Sequence, residues 1–173
     1  MDRRLPLLFL TNLLLAWLAG QVNHSLAPMA VHLYLGGLFV AFAALRLDLK
    51  NGGLCTVLTA LACDSTTAAP FGTSLVLFGL AHATVLAVRQ GFPRDEPVFA
   101  TVVTLILNLF LFLACSFVLV GLNPRPADAW LRLFVDLIAS QLVLAFITPW
   151  FFALQARVFE LARLDPETGR PAS

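Results

Sequence analysis

Long apolar runs alternate with short clusters of Pro, Gly and charged residues along the whole chain. The first run is Leu5–Gly20, stopped by the polar stretch Gln21–Ser25. The second, Ala27–Leu45, closes at Arg46-Leu47-Asp48-Leu49-Lys50. A third begins at Gly53 and reaches Ala69, where Pro70-Phe71-Gly72 forces a turn. Thr73–Val88 is the fourth, Val98–Val120 the fifth and Leu131–Leu154 the sixth, the last with Pro149 inside it, where a kink is expected. A bilayer's hydrocarbon core of about 30 Å takes about 20 apolar residues as a helix. The pattern therefore predicts an all-α integral membrane protein, a bundle of six transmembrane helices forming one domain over residues 1–164, with a polar tail over 165–173. The third and fourth runs are short, which leaves a re-entrant pair as the alternative to two full crossings.

Composition sharpens this. Residues AVILMFWYC make up 60% of the 173, charged residues only 12%, and the mean hydropathy is +0.88. A soluble globule of this size has too little interior for so much apolar surface. The net charge of +1 leaves no electrostatic footprint for a nucleic acid. With the N-terminus in the cytoplasm, Arg3, Arg4, Arg46, Lys50, Arg89, Arg94, Arg157, Arg163 and Arg170 fall inside. Only Arg125 and Arg132 fall outside. That asymmetry predicts both termini in the cytoplasm. Arg3-Arg4 before a Leu-rich run also has the form of a secretory signal, but the run is longer than a signal's apolar region and its removal would reverse the charge pattern. Asn23-His24-Ser25 matches a glycosylation sequon that abuts the membrane and is taken as chance.

Candidate chemistry is sparse. Cys55, Cys63 and Cys115 lie in apolar stretches without a CxxC, so neither a disulfide framework nor a zinc site is expected. Ionisable residues inside spans are costly and are functional candidates by default. They are His32, Asp64, His82 and Asp136, with Asn12 and Asn108 as uncharged companions. One reading makes Asp64, His82 and Asp136 a proton relay or substrate site. The other, which we favour, has Asp64 bonding backbone near Ser65-Thr66-Thr67, Asp136 pairing with Arg132 one turn earlier, and the Asn and His side chains bonding across helices. HExxH, GxSxG and P-loop patterns are missing from the sequence, and neither a catalytic residue nor a cofactor is expected. Small residues at packing spacing (Ala16/Gly20, Gly37/Ala41, Gly79/Ala83, Ala83/Ala87) mark close helix approaches. Beyond Leu154 the last helix is expected to continue as an amphipathic stub on the cytoplasmic surface, Leu154, Val158 and Leu161 sharing a face that rests on lipid.

The segment Gly53–Gly72 carries a Gly-led apolar helix ending in Asp64, a small polar patch, and a Pro70-Phe71-Gly72 turn into the next helix. In this it resembles the rod shape-determining MreD family of bacteria, and the similarity extends over Val31–Leu164. Asp64, Pro70 and Gly72 match the family's pattern; so do the helix closing on Arg89, the loop with Pro97 and the last helix with Pro149. Pro28 followed by Met29-Ala30 departs from the polar pair that usually opens the family's second helix. The resemblance implies a scaffold of the cell-elongation machinery in the bacterial inner membrane. Its implied partners are an MreC-like membrane protein and, with it, peptidoglycan synthases and the actin-like MreB. Asp64, Pro70, Gly72, Asn108 and Asp136 are the candidate structural or partner-interface residues. The competing family is the S component of energy-coupling-factor vitamin transporters, also six-span bundles and thought to share the fold. Its Ala-xxx-Ala docking pattern is represented in the first run only by Ala16/Gly20.

Overall fold

The structure is a computed structural model that describes residues 4–67, 69–89, 97–121 and 126–162. The N-terminal Arg3, the loop with Arg94, Arg125, and the tail with Arg163 and Arg170 lie outside these residues. Among the described residues there are six α-helices: α1 Arg4–Leu26, α2 Gly36–Arg46, α3 Leu49–Asp64, α4 Thr73–Val88, α5 Pro97–Gly121 and α6 Pro126–Leu161. A short 3-10 turn, Ala27–Met29, follows α1. Strands are absent among the described residues. Three segments are long and apolar enough to cross a bilayer: Leu5–Met29, Pro97–Gly121 and Trp130–Leu161.

α4 and α5 fall close to the expected runs, but α1, the second run, α3 and α6 depart from them. α3 begins at Leu49, four residues before Gly53, because Asp48 accepts from Asn51 N and caps it, and it ends at Asp64, five residues before Ala69. α1 does not stop at Gly20. It continues through Gln21–Ser25 to Leu26, because an exposed helical backbone satisfies its own hydrogen bonds and polar side chains there need only water. The second run is not one helix. After the turn at Ala30 (φ 56°), residues 31–35 are non-helical, and helix begins only at Gly36. α2 is the centre of the bundle: every residue from Gly36 to Leu45 is buried, against α3, α4, α5 and α6.

Gly37 allows this centre to form. A Cβ there would lie 2.6 Å from both Asn108 N and Thr104 O, backbone atoms of α5. Phe42, one turn further on, stacks on Phe159 (5.9 Å between centroids, 8° between planes) and meets Phe151 and Phe152 edge-on. These contacts correct the expectation for the end of α6. Phe151, Phe152, Gln155 and Phe159 form a buried stripe at helical spacing, and Gln155 Nε2 donates to Thr11 Oγ1 of α1 at 2.7 Å. One face of residues 151–159 thus packs into the core, so the segment does not lie free on a surface. Leu154 and Leu161, expected to lie on lipid, are indeed the exposed side.

Candidate functional site

Two carboxylates and their neighbours define the polar interior, and both are used on backbone N–H groups. Asp64, the last residue of α3, is 4% exposed. Its Oδ1 accepts from Ser74 N at 2.8 Å, and its Oδ2 accepts from Gly72 N at 3.0 Å and Leu75 N at 3.3 Å. The first N–H groups of α4 have no helical acceptor, so a carboxylate is the strongest partner available to them. Pro70 contributes its carbonyl, which accepts from Thr73 N and Thr73 Oγ1. Gly72 turns the chain with φ 96°, a conformation side-chain-bearing residues avoid. Asp64, Pro70 and Gly72 therefore form one hydrogen-bonded unit joining α3 to α4.

Asp136 does something different from the expected pairing with Arg132: its Oδ1 accepts from His32 N at 2.8 Å. It is one of four side chains holding the non-helical segment. Asn23 brackets Leu33, accepting from its N–H at 2.7 Å and donating to its carbonyl at 2.9 Å. Ser140 Oγ accepts from Tyr34 N at 2.9 Å and passes its own proton to Asp136 O. Asn108 Oδ1 accepts from Gly37 N at 3.0 Å and so caps the start of α2. Residues from α1, α5 and α6 thus supply the bonds that an unbroken helix would have supplied internally. At the other end of α2, one guanidinium nitrogen of Arg89 donates to Ala44 O at 2.8 Å and Leu47 O at 2.7 Å. A cation on the last carbonyls suits the helix dipole.

The remaining polar groups link helices. Thr56 Oγ1 donates to Gly52 O and lies 3.0 Å from His82 Nδ1. The other ring nitrogen of His82, Nε2, is buried without a hydrogen-bond partner. Asn12 Nδ2 reaches Phe39 O and Thr59 Oγ1, and Cys55 Sγ more distantly. His32 is exposed and close to Asn23. The structure therefore keeps Asp64, His82 and Asp136 on separate tasks. Among the described residues, no three His, Cys, Asp or Glu side chains gather as metal ligands. A groove of about 390 Å³ between the start of α5 and Pro149 is lined by Pro97, Val98, Thr101 and Val102, and the Thr101 hydroxyl is turned back onto Pro97 O. Its walls are apolar.

Asn23, Ser140 and Arg89 were not singled out for these roles from the sequence. Pro28 and the Gly36-Gly37 pair inside the second run are the breakers that signal an interrupted helix there. Among the small-residue pairs, Gly37/Ala41 is buried against α5, whereas Gly79, Ala83 and Ala87 share the exposed face of α4. No family model, no curated protein and no solved structure matches the chain. The likeness to the MreD family stands on the residues quoted for it.

Proposed function

We propose that the protein is a non-enzymatic scaffold of the bacterial inner membrane that serves the cell-elongation machinery by binding an MreC-like partner, and through it peptidoglycan synthases and actin-like MreB. The observation that carries this reading is the use made of Asp64, Pro70 and Gly72. The three positions that match the family pattern are joined by hydrogen bonds into the α3–α4 turn, so the pattern serves architecture. Asp136 is likewise engaged with backbone, and in this reading no side chain has a catalytic role and no cofactor is bound. In this reading the chain makes six crossings, the second of them partly non-helical, with both termini in the cytoplasm.

One observation favours the S-component alternative. An interrupted crossing whose half-helix begins inside the bundle is a form in which transporters build substrate sites, and Asn108 Nδ2 lies beside that start without a partner. Purification of the tagged protein from detergent-solubilised membranes separates the two. Co-purification of an MreC-like protein or a cell-wall synthase supports the scaffold. A coupling subunit with its ATPases overturns it in favour of the transporter.

A further inference from the structure

α3 and α4 are 16 residues each, about 24 Å at 1.5 Å per residue. Hydrogen bonds hold them level at both ends. On the outer side the Asp64 carboxylate takes the first N–H groups of α4. On the inner side Arg89, the residue after α4, donates to Leu47 O, two residues before α3. The Thr56–His82 bond ties the pair between these points. Neither helix is free to slide past the other to gain height. Polar residues mark the limits: Asp48 and Lys50 are exposed at one end, Ser65, Thr66 and Thr67 at the other. The outward face between them is bare and apolar, with Leu54, Val57, Val76 and Leu80 exposed. α5, by contrast, runs 25 residues without a charge, about 37 Å.

From this mismatch we infer that the α3–α4 edge binds a thinned patch of bilayer, drawing the headgroups of at least one leaflet toward it. The inference rests on the membrane reading above. An apolar stretch longer than the hydrocarbon core of about 30 Å adapts by tilting, whereas a shorter one is met by thinning of the lipid. Tilting the whole bundle to suit α5 lowers the α3–α4 pair further. Lipid deformation at that one edge is the remaining way to match both. The Ser65, Thr66 and Thr67 hydroxyls donate to Ala62 O or Cys63 O of α3, so they form an exposed polar rim beyond its end.

The test compares the purified protein with the triple variant Ser65→Leu, Thr66→Leu, Thr67→Leu, which replaces the polar rim beyond α3 with apolar side chains. Both are reconstituted into phosphatidylcholine vesicles of graded chain length, and Tm is read in each. The wild type is expected to be most stable in bilayers thinner than about 30 Å, with the variant's optimum displaced to longer chains. A shared optimum, or one matching the length of α5, overturns the inference. Amide hydrogen exchange on the wild type gives a check that is independent of the variant's folding. Ser65–Thr67 should keep exchanging in the thickest bilayer, and protection that grows with chain length overturns the inference. Release of the protein by alkaline carbonate would overturn the membrane reading as well, whereas a carbonate-resistant protein with an unmoved optimum overturns thinning alone. The scaffold reading has its own readout in the co-purification.

Discussion

Asp64 shows how much depends on which oxygen of one side chain meets which donor. Its two oxygens divide three N–H groups, Ser74 on one and Gly72 with Leu75 on the other. An amide keeps one acceptor and turns an NH₂ toward the remaining donors. Asp64→Asn is therefore expected to lose part of the turn, at about 1–2 kcal/mol, and Asp64→Leu to strand all three donors, at about 2–4 kcal/mol. Membrane abundance and thermal stability of the two variants check this; equal, full assembly by both would sink the structural role. Gly37 makes the complementary case from sterics. Gly37→Ala places a methyl 2.6 Å from two backbone atoms of α5, which cannot give way as a side-chain tip can. We expect about 1–3 kcal/mol of destabilisation in a detergent unfolding assay, with loss of the Asn108 cap.

Among the elements, α2 is short and depends on others. Arg89 holds its final turn, and because a single guanidinium nitrogen makes both bonds, a lysine reaches the same carbonyls only as a point charge. Arg89→Met should lower Tm clearly, and Arg89→Lys should recover part of the loss; a lysine no better than methionine would mean that charge contributes nothing there. This element is also where the sequence was least legible. Hydropathy measures a residue's preference for lipid or core but does not register whether its backbone is helical, so Ala27–Leu45 looked like one span. The fourth and fifth runs were legible because their starts carry breakers, Pro70-Phe71-Gly72 and Pro97, whereas Gly53 misled, lying inside α3 rather than before it. Asp64 and its turn could be assigned to each other because they lie within eight residues. Asp136 could not be assigned to His32, or Asn108 to Gly37, since those partners are 104 and 71 residues apart. Local spacing pointed instead to Arg132. The stripe Phe151, Gln155, Phe159 was present in the sequence, but the apolar face Leu154, Val158, Leu161 competed with it, and only the position of Phe42 distinguishes core from lipid.

For the whole molecule, the alternation of inner and outer ends is the property to test. Reporter fusions after Lys50 and Ser173 should read cytoplasmic, and fusions near Asn23 and Ala69 external, as the Lys/Arg asymmetry predicts. A cytoplasmic signal near Ala69 would mean that α3 and α4 form a re-entrant pair and would remove the six-crossing arrangement.

The non-helical stretch before α2 also sets an order of events during synthesis. Its hydrogen-bonding partners arrive late: apart from Asn23, they are Asn108, Asp136 and Ser140, which leave the ribosome long after His32 to Gly37. Until then the N–H groups of His32, Tyr34 and Gly37 lack these acceptors, and an unpaired N–H group in hydrocarbon costs several kcal/mol. If the chain makes the six crossings proposed above, the second is expected to wait at the insertion machinery or at the interface while the later helices are made. Ribosome-stalled chains ending before Asn108 should leave that segment outside the hydrocarbon, accessible to a water-soluble thiol reagent at a cysteine placed at Leu35, a residue buried in the complete fold. Chains that include Ser140 and the rest of α6 should hide it, so that the last helix translated completes the second one.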